Sequence, residues 1–588
     1  MTQRDPHPTE AFRAARDFYL EHHGDPQTQR AECAFPNVGG VFNWAHDWFD
    51  VIAADNHRVA LKIAEENGAD HQYTFAELKD RSDQLGGWLL EQGVAKGDVM
   101  MLMLDNQVEL WELMLAALKI GAVILPTSVV LNAHELTDRV TRGQVRWVCA
   151  GPANAAKFAD VPGNFTGIAV WGSGARRGSL DDEIPQGWMN YAASYEAPIR
   201  PLEKVTTSDD PALIYFTSGT TNLPKIVVHT QVSYPVGHLS TMAWIGVKPG
   251  DTHLVISAPG WGKHAWSSFF GPWHAEATIF VFNYARFDAE QLVHHLDEAG
   301  VNTFCAPPTV WRMLIQKKLS KRPRALREVV SAGEPLNAEV IARIQEWWGL
   351  EIRDGYGQTE TTALIGNLPG DPIVPGAMGA PLPGINIVLV DEHTGEIIPE
   401  GSDHEGEVCL PLDPHPLNLT PGYFANPTAT ERSRVGGVYH TGDVAVRDKN
   451  GVLTFVGRTD DIFKSSDFKV SPFEVESALV EHPAVAEAAV VGAPDPTRLN
   501  ITKAYVTLNP GWEETAETAR EILAHARVAL PAYMRVRRLE FWDLPKTISG
   551  KIRRVELRKR EEEFYERGEK ITTEWRESDF PGLKKRRW

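Results

Sequence analysis

The spacing of apolar and polar positions along this chain changes character twice, near residue 385 and again near residue 460. From about Phe42 onward, helical periodicity alternates with short β-branched runs, as at 99–104, 122–125 and 278–282. That alternation predicts α/β lobes with a substantial share of parallel sheet. After residue 385 short strands separated by tight turns predict a smaller, mainly β lobe (385–390, 406–410, 451–455), closed by residues 457–461. A third pattern then begins, with helices expected over 472–482 and 518–528 and strands over 485–491 and 503–508. The chain is therefore expected to be α/β overall. A large N-terminal domain spans 1–459, a small α+β domain spans 460–560, and a charged tail spans 561–588.

Two segments sharpen this picture. Residues 9–22 read as a surface helix ending near Gly24, Asp25 and Pro26. Residues 113–130 are the most apolar stretch, but Lys119 breaks the run and Gly121 and Pro126 punctuate it. A buried helix followed by a strand is predicted there, and no membrane span. The tail, with Glu561, Glu562 and Glu563 and a basic end, is expected to be a solvated helix and a loose terminus.

Composition narrows the function classes. At 588 residues the chain exceeds one hydrophobic core. A formal charge of −19 argues against nonspecific nucleic-acid binding, which needs a basic surface. The four cysteines (Cys33, Cys149, Cys305, Cys409) have no paired spacing, which fits a reducing compartment and excludes a disulfide framework or a zinc site built on cysteines. The first thirty residues have no apolar secretory core, so the cytosol is expected.

The densest chemistry lies between Ala212 and His229. A strand-like run enters a loop carrying Thr217, Ser218, Gly219, Thr220, Thr221 and Lys225, and a second β-branched run leaves it. Backbone N–H groups and hydroxyls there can cradle phosphate oxygens while Lys225 supplies a charge. Pro224 before the lysine and Ile226 after it exclude a Walker A loop. A second segment, Asp354, Gly355, Tyr356, Gly357, Gln358, Thr359 and Glu360, ends an apolar run and offers room for a flat base, a stacking face and oxygens for phosphate and Mg²⁺. Ser331 to Pro335 form another turn, Asp443 follows Tyr439 to Gly442 with Arg458 fifteen residues on, and Lys551 sits on a Ser-Gly element.

The order of these segments resembles the adenylate-forming superfamily that includes acyl-CoA synthetases and luciferases, over roughly residues 40–560. Residues 260–267, 305–310 and 471–476 look like its medium-chain acyl-CoA synthetase branch, and the longer N-terminus looks like acetyl-CoA-synthetase relatives. The resemblance implies an ATP-dependent acid–thiol ligase using ATP, Mg²⁺ and coenzyme A. It implies that Thr217 to Lys225 hold the phosphates. Asp354 to Thr359 with Gly333, Glu334 and Pro335 would bracket adenine, and Glu360 would support the metal. Asp443 and Arg458 would bind ribose, Asp460 would be the hinge of a mobile C-terminal domain, and Lys551 would catalyse adenylation. Ser466, Asp467 and Phe468, with Arg498 and Tyr533, would meet coenzyme A.

Departures from the family pattern leave alternatives open. Asn222 and Ile226 replace two loop glycines, Asp467 stands for a glycine and Lys469 for an arginine. A different acyl acceptor or fate, such as a carrier protein or elimination after thioester formation, is one alternative. A nucleotide-binding regulator without catalysis is the other, and it would be expected to have lost Lys551, Glu360 or Asp443. Acetate-specific relatives carry Trp at the position of Gly357, so an acyl group larger than acetyl is expected. Trp261, Trp266 and Trp273 are candidates to line its pocket, and two of them facing it would suit a cationic acid.

Overall fold

The computed structural model describes residues 7–173, 176–217, 224–402, 404–465, 468–546 and 552–584. Two large sheets organise the N-terminal part. In the nine-stranded sheet, strands Val59–Glu65, Thr278–Asn283, Thr252–Val255, Thr303–Ala306, Glu328–Ala332 and Arg353–Gly357 run parallel as neighbours. Antiparallel strands close both edges. The seven-stranded sheet is parallel from Pro211–Thr217 to Met189–Asn190, with Lys225–Thr230 antiparallel at its edge. One core fills the space between them, joining Leu61, Ile279 and Val330 of the first sheet to Met100, Ile124 and Leu213 of the second.

The apolar run around residue 115 is the helix Val108–Ile120, with every residue buried, followed by strand Val123–Pro126. Its charges are paired inside the protein: Lys119 lies 2.7 Å from both Asp50 and Asp83, and Glu112 lies 3.0 Å from Arg81. A buried ammonium is tolerated only with such partners. Gly121 ends the helix in the left-handed conformation (φ 75°), the usual use of glycine at a helix C-terminus. No helix among the described residues is long and apolar enough to cross a membrane.

The β lobe is a four-stranded antiparallel sheet of Val388–Val390, Glu405–Pro411, Val438–Arg447 and Leu453–Arg458. Beyond Asp460 come the ribbon Phe463–Ser465 with Phe468–Val470, then helix Pro472–Val480, strands Val485–Asp495 and Leu499–Leu508, helix Ala516–Ala529 and strand Val536–Phe541. This part has its own core of Val475, Leu479, Val490, Val506, Ile522 and Leu539.

The tail departs from the expected solvated helix and loose end. Helix Arg554–Glu566 runs across the expected boundary at residue 560, and Glu574–Arg576 adds a fourth, antiparallel strand to the C-terminal sheet. Trp575, Phe580 and Leu583 pack on the core. The physical reason is an ion cluster: buried Lys503 lies 2.8 Å from Glu540, 2.7 Å from Glu561 and 3.1 Å from Glu574, and Arg560 meets Glu540 at 2.8 Å. Charges that read as solvated in sequence are counterions of one interior lysine.

Lys503→Met would leave buried carboxylates without their shared cation. A loss of about 3–5 kcal/mol is expected, read as a lower urea midpoint for the C-terminal part; a loss below about 1 kcal/mol would show that the arginines suffice.

Candidate active site

A cleft of about 2910 Å³ opens where the two large sheets, the β lobe and the C-terminal part meet. Its walls include the segments that follow the carboxyl ends of parallel strands: Ser257 to His264, Pro307, Ala332 to Pro335 and Asp354 to Glu360. Ligands of open α/β sheets bind at such positions because neighbouring connections diverge there. Thr217, Lys225, Asp443, Arg458, Asp460, Trp261 and Trp266 line the same cleft. Residues scattered over more than two hundred positions are therefore brought to one place.

The centre of the network is Asp443. Its carboxylate accepts from the Tyr356 hydroxyl at 2.5 Å, the Gln358 amide at 2.6 Å and the Arg458 guanidinium at 3.1 Å. Gln358 is fixed in turn by donating to the Thr441 carbonyl (2.8 Å) and accepting from the Tyr439 hydroxyl (3.1 Å). Arg458 also donates to Asp460 at 3.0 Å, tying the expected ribose ligand to the expected hinge. Glu360 accepts from Tyr423 at 3.0 Å, and the Lys225 ammonium lies 4.8 Å from the centre of the Tyr423 ring. Burial raises the Glu360 carboxyl above its ordinary range, against the opposing effects of Tyr423 and Lys225.

Other carbonyls and carboxyls of the turn are also set. Asp354 is buried, and desolvation pushes it up to about 8 despite hydrogen bonds from Gly355 and Leu336 backbone. His229, held neutral by burial down to about 3, bonds the Thr359 carbonyl at 2.7 Å through Nε2 and Ser233 at 3.0 Å through Nδ1. Tyr234 stacks on that imidazole with ring centres 3.9 Å apart.

Ser218, Gly219, Thr220, Thr221, Ser466, Asp467 and Lys551 lie outside the described residues. Their flanks are informative. Thr217 and Lys225 form the last register pair of two antiparallel strands at the cleft. Lys546 and Ile552 form a bridge, Arg553 N–H donates to the Pro545 carbonyl at 2.8 Å, and Lys546, Ile552, Arg553 and Arg554 all line the cleft.

The remaining expected ligands of coenzyme A sit elsewhere. Phe468 and Tyr533 stack on each other (4.9 Å, 21°), both exposed and outside the cleft. Arg498 is exposed on the turn between two C-terminal strands, its N–H donating to Asp495 at 2.9 Å. Arg535, two residues beyond Tyr533, has a buried Nε with no partner among the described residues. Sequence reasoning missed Tyr423, which lines the cleft beside Glu360 and is signalled only by a Pro-Gly turn before an aromatic. Trp273 is a core residue: it packs on Phe49 and Phe269 and donates to the Ala60 carbonyl at 3.1 Å, away from the cleft.

Comparison with known proteins bears on this arrangement. The model of the AMP-binding enzyme family matches residues 49–424, and that of the AMP-binding enzyme C-terminal domain matches residues 474–551. The chain is 42% identical to 4-hydroxybutyrate–CoA ligase 1 of Metallosphaera sedula, over 94% of this chain and 97% of that one. It is 34% identical to the mitochondrial acyl-coenzyme A synthetase ACSM3 of Homo sapiens, over 88% and 90%. Among solved structures it resembles the Brucella canis acyl-CoA synthetase (31% identity, TM-score 0.68, covering 93% and 99%). It also resembles the anthranilate CoA ligase AuaEII in complex with anthranoyl-AMP (25%, TM-score 0.79, covering 90% and 99%).

Gly357 does not leave the open space that the comparison with acetate-specific relatives implied. A Cβ there would run into the Thr362 carbonyl and lie 2.7 Å from the tip of the Trp266 ring. Trp266 supplies the wall that a side chain at 357 would have made, and it is held by donating from Nε1 to the Tyr234 hydroxyl at 2.6 Å. Gly357→Ala is therefore expected to cost about 1–3 kcal/mol of stability by overpacking, measured by urea unfolding; an unchanged midpoint would show that the turn relaxes freely.

Proposed function

The chain belongs to the AMP-binding enzyme family, and from that premise we propose how its cleft carries out the two half-reactions of an AMP-forming acyl-CoA synthetase. A carboxylate oxygen of the acid attacks the α-phosphorus of ATP, and pyrophosphate leaves. The sulfur of coenzyme A then attacks the acyl carbonyl, and AMP leaves. The observation that carries this reading is the convergence of Tyr356, Gln358 and Arg458 on Asp443 in a cleft that also holds Lys225 and the Gly333 turn.

Two anions must meet in the first step, and at 4 Å like unit charges repel by about 4 kcal/mol at an effective dielectric of 20. The protein's part is to neutralise and align. Thr217 and Lys225 take the phosphates, with Ser218 to Thr221 completing the loop. Asp354 to Thr359 and Gly333 to Pro335 bracket the adenine. Asp443 accepts the ribose hydroxyls, with Arg458 beside it. Glu360 is a single half-buried carboxylate with threonine hydroxyls nearby in sequence, a donor set suited to Mg²⁺, which keeps water and phosphate oxygens as its other ligands. Bound there, Mg²⁺ would offset phosphate charge. Lys551 adds its ammonium during adenylation, supported by flanking residues that line the cleft. Phe468, Tyr533, Arg498 and Arg535, with Ser466 and Asp467, meet coenzyme A after rotation about Asp460. The exposure of Phe468 and Tyr533 outside the cleft supports an arrangement set for the first half-reaction.

The acid is short and carries a polar end. Trp266 narrows the space beside Gly357, and Tyr215, lining the cleft next to Tyr234, has a buried hydroxyl without a partner among the described residues. A relative named for 4-hydroxybutyrate points the same way. The four buried free cysteines support a reducing compartment such as the cytosol.

Lys551→Ala should abolish acid-dependent pyrophosphate release while leaving thioester formation from synthetic acyl-AMP within about threefold of the parent; equal loss of both would overturn the alternating role. In an acid series from acetate to decanoate that includes 4-hydroxybutyrate, kcat/KM should peak at four carbons or fewer. Tyr215→Phe should cut the preference for 4-hydroxybutyrate over butyrate by about tenfold, the worth of one buried hydrogen bond. A peak at decanoate would overturn the short-acid reading.

A further inference from the structure

Outside the nucleotide network, one cluster of side chains in the β lobe has a geometry that the reaction does not use. Glu407 and Cys409 are two residues apart on strand Glu405–Pro411, so both point to the same face of the sheet. His440, on strand Val438–Arg447, is the register partner of Cys409 and stands on that face too. Their ligating atoms lie within 4.8 Å of one another.

The imidazole has an unusual setting. Its Nε2 faces the Val435 carbonyl at 3.1 Å, an acceptor only, and therefore carries a proton. Its Nδ1 faces the Glu407 carboxylate at 2.8 Å and the Cys409 sulfur at 3.6 Å.

The sulfur–nitrogen distance suits a cation: bonds of about 2.3 Å to sulfur and about 2.0 Å to nitrogen at a tetrahedral angle put the two ligand atoms about 3.5 Å apart, and here they are 3.6 Å apart. The Nδ1–carboxylate distance of 2.8 Å is that of a direct hydrogen bond, which a bound ion would open to about 3.3 Å. The supporting contacts are also those of a metal site: the distal ring N–H donates to a backbone carbonyl, and the second Glu407 oxygen accepts from the Gly442 N–H at 2.8 Å. Glu407 and His440 line the cleft, so water can reach a fourth position.

We propose that Glu407, Cys409 and His440 form a site for a soft divalent cation of the zinc class. The mixed sulfur, nitrogen and oxygen donors exclude Mg²⁺ as the preferred ion. On binding, the thiol proton leaves to solvent and the thiolate, the neutral imidazole and the carboxylate hold the ion with one water. Because Glu407 also holds the N–H of Gly442, the residue before Asp443, the ion acts on the nucleotide: it fixes Glu407 and with it the ribose-binding turn. This second consequence rests on the ribose role of Asp443; the site itself does not.

The test is a Co²⁺ titration of the full chain followed by absorption. One equivalent should bind with tetrahedral visible bands and a thiolate-to-cobalt charge-transfer band in the near ultraviolet, displaced by Zn²⁺. Cys409→Ser should remove the charge-transfer band, and His440→Gln should weaken binding at least tenfold. If Cys409→Ser does not fold, His440→Gln with the parent decides the matter alone. Absence of binding by the parent, or a charge-transfer band that survives in Cys409→Ser, overturns the site. One equivalent of Zn²⁺ should shift the Kd for ATP at least threefold in the parent and not in His440→Gln; an unchanged Kd with the ion bound overturns the coupling and leaves the site standing.

Discussion

The cleft depends on one carboxylate. Asp443 sits on the β lobe, yet its partners come from two different elements: Tyr356 and Gln358 at the end of the nine-stranded sheet, and Arg458 on the next strand of its own lobe. A buried anion without donors costs several kcal/mol, so these groups must meet for the lobes to pack. The same requirement orders the cleft wall, because Arg458 continues to Asp460 and Gln358 continues to Tyr439. Packing and the shape of the cleft here share one hydrogen-bond network.

The region beyond Asp460 is stabilised differently. Neighbouring carboxylates at the junction are held by cations from opposite sides: Asp460 by Arg458, and Asp461 by Arg558, with Arg554 at 3.6 Å. Arg554 is itself clamped to Glu476 at 2.5 Å. A rotation at this point changes few contacts within either body, since each arginine travels with its own side. Phe468 and Tyr533 are exposed to solvent and stack on one another outside the cleft.

Charged residues recur in the interior of this protein, and several of them are neutralised locally. Lys119, Lys503, Glu112 and Arg353 are all nearly inaccessible and all paired. Removing one member leaves its partner exposed to the full cost of desolvation.

The α/β class, the change to a β lobe after residue 385 and the α+β region beyond residue 460 were legible in the sequence, because strand and helix periods are local properties of the chain. So was the gathering of Thr217, Lys225, the Asp354 turn and Asp443 as candidates for one site, which all line the cleft, since glycines, hydroxyls and isolated carboxylates in such turns carry their chemistry in adjacent residues. Tertiary structure decided what depended on contacts between distant segments. It put Trp266 against Gly357 and sent Trp273 into the core. It turned Glu561 and Glu574 from surface charges into counterions of Lys503. It set His440 opposite Cys409 across a strand pair, a juxtaposition that the wide spacing of the cysteines could not reveal. The reason is the same in each case: periodicity fixes which face a side chain takes, whereas its partner across the core is fixed only when the sheets close on one another.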